Sequence, residues 1–440
     1  MNVIDAIGSV TRKLSRGSAR FRISKSADVE LNELARLADV PAEAQEELFM
    51  RKLDQCCVAF DFNDPQASLQ GKETKTAIFK ELIDFVRSDR PALSEKVYPE
   101  IVRMFSQNVI RVLPPSDYED VDSENDDEPW DATWPHVSLA YDFFLAFIDS
   151  DNFAPGTAKK YIDRKFVVKL LELLDSEDVM ERASLKTIVH RLYSKMLGLR
   201  AFLRKQIGYI FLRFAYETEK FNGMNELLEV LGSIINGFAQ PLKEEHKRFL
   251  LKVLMPLHKT SSFADLHLSL TYCVTQFIVK DPSLTEPVVK SLLRMWPKTC
   301  SLKEVLFVSK VEEILKNIGS EEDFAAIAVP VCRQLAKCCS SLHFQVADKA
   351  LSLQKSDEIW ALLTDQIEVV MPILYPALLA AKNHWSQNIV ASQAASFSLA
   401  LEEYYAAYCE HKGSLENSKT GNSPGGKKYL ENNNCVVTSF

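Results

Sequence analysis

From about residue 45 to about residue 410, apolar residues recur with helical spacing, and this regularity constrains the fold more than any other feature. Segments such as TAIFKELIDFV, FVVKLLELLDS and MNELLEVLGSIINGF place apolar residues three and four positions apart, and no alternation of period two is sustained. Glycine, which strand-and-turn proteins need, is scarce at 14 of 440 residues, and no proline stands between Pro155 and Pro241. The sequence therefore predicts an all-α protein.

Short polar or proline-containing breaks separate the helical segments, which indicates antiparallel helix pairs. Pairs of β-branched residues in FVVKLL, EPVVKSLL and EVVMPIL recur at intervals close to two or three units of ~40 residues, the length of a HEAT-type repeat, whereas the pair in YPEIVRMF fits poorly. Stacked helix pairs form superhelices. We therefore expect a superhelical solenoid of about eight HEAT-like helical-pair repeats over residues 31–410.

Three segments depart from the helical pattern. Residues 1–30 are polar and basic, residues 411–440 are rich in Ser, Asn, Gly and Lys, and both compositions predict disordered arms. Residues 117–131, DYEDVDSENDDEPWD, are acidic at nine of fifteen positions, and their self-repulsion predicts an extended, exposed loop. This loop is either a solvated insertion or an acidic arm that meets a basic partner through residues such as Glu124, Asp126, Asp127 and Glu128.

The composition argues against several functional classes. A net charge of −8 disfavours a general nucleic-acid binder, and no apolar run approaches the length of a membrane span. The cysteines show no zinc-type C-x-x-C spacing and the N-terminus does not resemble a signal peptide, so we expect a cytoplasmic and/or nuclear protein. Phosphate-loop, dinucleotide, zinc-protease and serine-hydrolase motifs are absent. A binding protein without catalysis, metal or cofactor is the simplest interpretation.

One stretch, VHRLYSKMLGLRAFLRKQIG from Val189 to Gly208, is basic and contains no acid. Continuous helical spacing predicts one stripe along it, with Arg191 and Lys195 in a neighbouring row and Gly198 as a possible break. The stripe consists of His190, Tyr193, Leu197, Arg200 and Arg204. Such charges usually solvate a solenoid face or pair with acids of the next repeat. The alternative is a wall of a binding groove.

The repeat period extends this surface to later residues. A shift of ~40 residues from His190 leads to Val230, which shares a helix face with Ile234, and Lys243 and His246 share a face further on. Equivalent helices of consecutive repeats are neighbours in a solenoid. The combined surface is an apolar patch flanked by basic groups, which suits an extended peptide with apolar anchors and acidic positions.

Long stretches resemble the B-prime regulatory subunits of protein phosphatase 2A over about residues 45–405. They include YPEIVRMFSQNVIRVLPPS, LGLRAFLRKQIGYIFLRFAYET and LLEVLGSIINGFAQPLKEEHKRFLLKVLMPLHK. The resemblance implies a solenoid of about eight HEAT-like repeats that joins a scaffold subunit and a catalytic subunit in a serine/threonine phosphatase heterotrimer. It also implies no catalysis by this subunit, and recruitment of substrates that carry motifs of the form L-x-x-I-x-E.

The resemblance implies roles for individual residues of the groove. Tyr193, Leu197, Val230 and Ile234 are expected to form the apolar pockets, and Arg191 with His190 to hold the motif Glu. Three further cations are expected to favour a phosphate or acid between the anchors: Arg200, Lys243 and His246. The family usually has Ile where this chain has Val230. The acidic loop is expected to face the catalytic subunit, although its composition departs from the family's usual form.

Two other functional classes remain open from the sequence. A transport carrier or general scaffold of HEAT type predicts co-purification with cargo or small GTPases and with no phosphatase. A free-standing enzyme predicts activity of the purified chain on generic ester substrates, which the missing motifs disfavour.

Overall fold

The structure is a computed structural model that describes residues 31–60, 62, 67–88, 94–113 and 133–396. The two predicted disordered arms and the acidic loop 117–131, including Glu124, Asp126, Asp127 and Glu128, lie outside the described residues. The descriptions that follow concern the described ranges alone.

The described backbone is helical and contains no strand, which confirms the predicted all-α class. The α-helices, numbered in chain order, are Ala42–Cys56 (α1), Leu69–Arg87 (α2), Val97–Val109 (α3), Trp134–Asp149 (α4), Pro155–Ala158 (α5), Arg164–Leu173 (α6), Val179–Lys195 (α7), Arg200–Arg213 (α8), Met224–Asn236 (α9), Glu244–Phe249 (α10), Phe263–Lys280 (α11), Thr285–Arg294 (α12), Ser301–Lys316 (α13), Glu321–Cys339 (α14), Phe344–Ser352 (α15), Asp357–Asp365 (α16), Ile367–Ala381 (α17) and Gln387–Ser396 (α18). Short 3-10 helices span Leu37–Asp39, Leu197–Leu199, Met255–Lys259, Pro282–Leu284 and Leu353–Lys355, and π-helical turns span Phe214–Thr218 and Leu250–Leu254.

Helices up to Lys280 form one compact unit that consists of two rows. In one row α2, α4, α7, α9 and α11 pack in succession, and in the other α1 packs on α3 and α6 on α8. Members of the two rows pack as pairs, α1 with α2, α3 with α4 and α6 with α7. This is the packing of a helical solenoid, as predicted, because each pair buries its apolar stripe against the next pair.

The contacts between α7 and α9 give the spacing between neighbouring helices in a row. Three side-chain pairs join them: Arg182–Glu226, Lys186–Glu229 and His190–Ser233. The partners are 43 or 44 residues apart in sequence. The prediction that these helices are neighbours is confirmed, but the predicted shift of ~40 was wrong by about three residues, nearly one helical turn. His190 therefore lies opposite Ser233 and not Val230.

Helices from Asp281 onward form a second compact unit with the same two-row arrangement. One row contains α12, α14 and α17 and the other contains α13, α15 and α18. Within the described ranges no single helix is long and apolar enough to cross a membrane. One pair, α16 and α17, meets that length and composition jointly but is bent by 114°.

Candidate functional site

The first turn of α7 is fixed by a buried ion pair. The Glu181 side chain is fully buried and accepts two hydrogen bonds from the Arg111 guanidinium, at 2.7 and 2.6 Å. The hydroxyls of Tyr141 and Ser176 donate to the same carboxylate at 2.8 and 2.6 Å, and Asp178 caps the helix by accepting from two backbone amides of its first turn. These contacts tie α7 to α4 and to the segment after α3, which sets the direction of its later turns.

Helix α7 ends at Lys195, so the predicted stripe from His190 to Arg204 does not lie on one continuous helix. The backbone leaves the helical region at Met196, where φ is −104° and ψ is 83°. Leu197 then lies in a 3-10 turn and Arg200 begins α8. Gly198 is not required sterically, since a Cβ there would meet nothing within 4 Å. The basic stretch is therefore divided between two helices joined by an exposed turn.

Arg200 bridges this break. Its Nε donates to the Tyr193 carbonyl at 2.9 Å and its Nη2 to the Ser194 carbonyl at 3.0 Å, so it satisfies two acceptors at the end of α7 that have no helical partner. The guanidinium carbon also lies 5.2 Å from the centre of the Tyr193 ring. Within the described residues Nη1 makes no hydrogen bond, which leaves one side of the guanidinium available to a ligand.

Arg204 extends the same network to the next repeat. It donates from Nη1 to the Tyr193 hydroxyl at 2.9 Å, and its Nη2 lies 3.5 Å from a carboxylate oxygen of Glu245 on α10. Its guanidinium carbon is 5.9 Å from the ring centre of Phe238. The sequence placed Arg204 on the predicted stripe, but it did not indicate Phe238 or Glu245 as neighbours. The side chains nevertheless connect α7, α8 and α10 on one surface.

His246 stacks on Phe238, with ring centres 3.9 Å apart and planes inclined by 5°. Its side chain is mostly buried, and in the described part of the chain neither ring nitrogen has a hydrogen-bond partner, although Nε2 lies 3.4 Å from Glu245. Burial and the nearby Arg204 lower the pKa of His246, and Glu245 opposes that shift. The ring is therefore neutral near pH 7, and both of its nitrogens are buried.

An open cleft of about 360 Å³ lies beside these residues. Aromatic and aliphatic groups form much of its wall, and cations stand at its edge: Ala201, Arg204, Lys205, Leu231, Phe238, Glu245, His246, Phe249 and Phe277 line it. Lys243, the exposed residue that precedes α10, is two residues before Glu245. The cleft combines apolar surface with positive charge, which is the chemistry of a site for an acidic and apolar peptide.

His190 and Arg191 lie on α7, about one turn before Tyr193 and Ser194. The Nε2 atom of His190 is 2.9 Å from the Ser233 hydroxyl, and burial together with Arg191 lowers the pKa of His190. Arg191 is about half exposed, and its Nε lies 3.2 Å from a carboxylate oxygen of Asp149, the last residue of α4. The guanidinium thus already holds one carboxylate while presenting part of its surface to solvent.

Val230 and Ile234, which were predicted to wall the apolar pockets, are buried in α9 with exposures of 3% and 4%. They offer a ligand little surface, because they pack in the core of the unit. Leu197, at 69% exposure, and the aromatic cleft supply the accessible apolar surface instead. The accessible apolar surface in this region therefore lies at the turn before α8 and in the cleft beside α10.

A known protein family matches most of the chain. Residues 34–427 match the family model described as "Protein phosphatase 2A regulatory B subunit (B56 family)". The chain belongs to this family.

Proteins of similar sequence are also named as regulatory subunits of protein phosphatase 2A. The chain is 52% identical over 381 residues to the mouse serine/threonine-protein phosphatase 2A 56 kDa regulatory subunit alpha isoform, an alignment that covers 86% of this chain and 78% of that protein. It is 51% identical over 385 residues to the regulatory subunit pptr-1 of Caenorhabditis elegans, covering 87% and 70%. The human delta isoform is also 51% identical, over 86% of this chain and 64% of that protein. The chain is a phosphatase regulatory subunit and not a phosphatase itself.

Proposed function

We propose that this B56-family subunit binds the scaffold and catalytic subunits of a serine/threonine phosphatase heterotrimer and recruits substrates through the surface around α7, α8 and α10. The ligand is a short segment of the form L-x-x-I-x-E. Family membership supports the assembly, and the cleft supports peptide binding because aromatic rings and two cations, Arg204 and Lys205, line it together.

The observation that carries the substrate proposal is the division of charge along this surface. Arg191, with the neutral ring of His190, forms one cationic position, and Arg191 suits a carboxylate because a planar guanidinium can bind it through two nitrogens. Arg200, Lys243 and His246 form the second position, which suits an acid or phosphate between the apolar anchors. Tyr193 lies between the two positions.

The apolar anchors are assigned by the exposure of the groups around them. Leu197 and Tyr193 stand at the surface beside the helix break, and the cleft is lined by Phe238 and Phe249. We assign the anchors to this exposed apolar surface, with Val230 and Ile234 beneath it as packing support. Because partly exposed ion pairs contribute only ~0–1 kcal/mol, the anchors must supply most of the affinity.

The test compares Arg191→Ala with Lys195→Ala, a basic residue one turn later on the same helix. Each full-length variant is titrated with a fluorescent L-x-x-I-x-E peptide and is also co-purified with scaffold and catalytic subunits. We expect Arg191→Ala to weaken peptide binding about 1.5- to 5-fold, the range for one partly exposed ion pair, and to retain both subunits, and Lys195→Ala to retain both activities. Peptide binding by Arg191→Ala at wild-type affinity would overturn the substrate proposal. Failure of the wild-type chain to co-purify with the scaffold and catalytic subunits would overturn the assembly proposal.

A further inference from the structure

Two arginines of the proposed groove already contact carboxylates of this chain: Arg191 in the first cationic position, and Arg204 beside the second. Asp149 meets Arg191 at 3.2 Å, and Glu245 lies 3.5 Å from Arg204 and 3.4 Å from His246. The Asp149–Arg191 contact joins α4 to α7, and the Glu245–Arg204 contact joins α10 to α8. Asp149 and Glu245 therefore occupy the places where acidic groups of a ligand are expected.

The exposure of these groups allows the resident carboxylates to be exchanged. The Glu245 side chain is 61% exposed and that of Asp149 is 38% exposed, so either can turn into solvent when a ligand acid takes its place. At 3.2–3.5 Å the contacts are longer than the ~2.7–2.9 Å of a strong charge-assisted hydrogen bond, which a better placed ligand oxygen can form.

We propose that Asp149 and Glu245 act as built-in competitors for the acidic groups of the ligand and so determine how strongly each acidic position contributes to binding. Asp149 governs the position of the motif Glu, and Glu245 governs the acid or phosphate between the anchors. This inference rests on the proposed function, and it assigns to the same groove two specificity-determining residues whose negative charge has the same sign as the acidic groups of the ligand.

The two carboxylates have matched controls in the chain. Glu244 precedes Glu245 in the first turn of α10, is 83% exposed and lies 3.6 Å from Lys247. Glu244→Gln therefore removes the same charge at nearly the same place without freeing Arg204. Asp151, which is exposed two residues after Asp149, serves the same purpose for Asp149→Asn.

The experiment measures peptide affinity of the full-length chain by fluorescence anisotropy, with circular dichroism and thermal unfolding as checks that each variant folds. Four synthetic L-x-x-I-x-E peptides are used: three carry Ser, Asp or phosphoserine between the anchors, and the fourth combines the Ser spacer with Gln in place of the final Glu. We expect Glu245→Gln to strengthen binding of the Asp and phosphoserine peptides about 1.5- to 5-fold, the range for one partly exposed ion pair. The Ser peptide should bind Glu245→Gln as it binds wild type.

Asp149→Asn should show the complementary pattern. It should strengthen binding of peptides that end in Glu by a similar factor and leave the peptide that ends in Gln unchanged, whereas Asp151→Asn and Glu244→Gln should change none. Equal effects of Glu245→Gln and Glu244→Gln would overturn the inference, because they would show a long-range charge effect. The inference would also be overturned if Glu245→Gln and Asp149→Asn bound the four peptides with the same relative affinities as wild type. Failure of wild type to bind any peptide would overturn the proposed function itself.

Discussion

Removing Arg111 should destabilise the first compact unit far more than the loss of an exposed ion pair does. The Glu181 carboxylate is fully buried, Arg111 is 11% exposed, and the guanidinium donates two hydrogen bonds to the carboxylate. Arg111→Met would remove this cationic partner, while the Tyr141 and Ser176 hydroxyls would still donate to the carboxylate. Breaking a buried pair by removing one partner costs about 3–5 kcal/mol, because the remaining charge is buried without an opposite charge beside it.

The double variant Arg111→Met/Glu181→Gln separates the uncompensated charge from simple loss of contacts. The glutamine introduced by Glu181→Gln is neutral, could still accept from the Tyr141 hydroxyl and could donate to Ser176. The double variant should therefore be more stable than Arg111→Met alone by about 1–3 kcal/mol. Lys186→Met provides the surface control. It removes an ion pair with Glu229 whose side chains are 34% and 51% exposed, and it should cost less than about 1 kcal/mol.

Urea denaturation followed by circular dichroism measures these differences, and hydrogen exchange of α4 and α7 assigns the transition to the first unit. The chain has two compact units, which can unfold in separate transitions, so the transition assigned to the first unit is the one compared among variants. A loss of less than about 1 kcal/mol in Arg111→Met would refute the reasoning, since it would match an exposed pair. The reasoning would also be refuted if the double variant were no more stable than Arg111→Met.

Two further predictions concern a glycine and a histidine. A Cβ on Gly223 would collide with the Leu174 carbonyl oxygen and lie 2.8 Å from Leu174 Cβ. Gly223→Ala should therefore lower the free energy of unfolding by about 1–3 kcal/mol, measured by thermal unfolding. The control is Gly198→Ala, where a Cβ would meet nothing; it should leave the free energy of unfolding unchanged or raise it by up to about 1 kcal/mol. Burial, with a smaller contribution from Lys75, lowers the pKa of His136 to about 4. Because the unfolded chain takes up this proton near pH 6.5, His136 should reduce stability as pH falls from about 6.5 to about 4, and His136→Gln should remove that part of the pH dependence in urea titrations. An unchanged slope in His136→Gln would contradict the assignment.

The sequence predicted the all-α class and the pairing of helices because both depend on local periodicity, which side-chain burial imposes along the whole chain. It also predicted that the helix carrying His190 and the helix carrying Val230 are neighbours. The register between them was missed by about three residues, since it depends on the length of the connections between helices. The contact between His190 and Ser233 fixes that register, and a repeat length of ~40 residues could not.

The break after Lys195 was anticipated at Gly198, but the structure places the first non-helical residue at Met196. No helix-breaking residue marks that position. What stabilises the break is Arg200, whose guanidinium reaches back to the carbonyls of Tyr193 and Ser194. Such a cap is formed by a long side chain across a turn, so residue spacing on an ideal helix does not reveal it.

Glu245 shows where a signal in the sequence was available and unused. It is 41 residues after Arg204, which is close to the repeat length applied to His190. The same shift from Arg204 would have led to the first turn of α10. The basic stretch contains no acid of its own, so its ion-pair partners do not show in its local sequence. The partners belong to other helices, Asp149 to α4 and Glu245 to α10.

Burial separates the ion pairs that hold this surface in place from those that a ligand can exchange. The Arg111–Glu181 pair is 11% and 0% exposed, and no ligand acid can reach its guanidinium without unfolding the start of α7. The Arg191–Asp149 pair is 47% and 38% exposed, so water and solutes compete for both of its members. Under the proposed exchange, a ligand carboxylate that replaced Asp149 would bring little net electrostatic gain, because one exposed pair would be exchanged for another. The acidic positions of the ligand should therefore act mainly as selectors, while the apolar anchors beside Leu197 and in the aromatic cleft determine how tightly the segment binds.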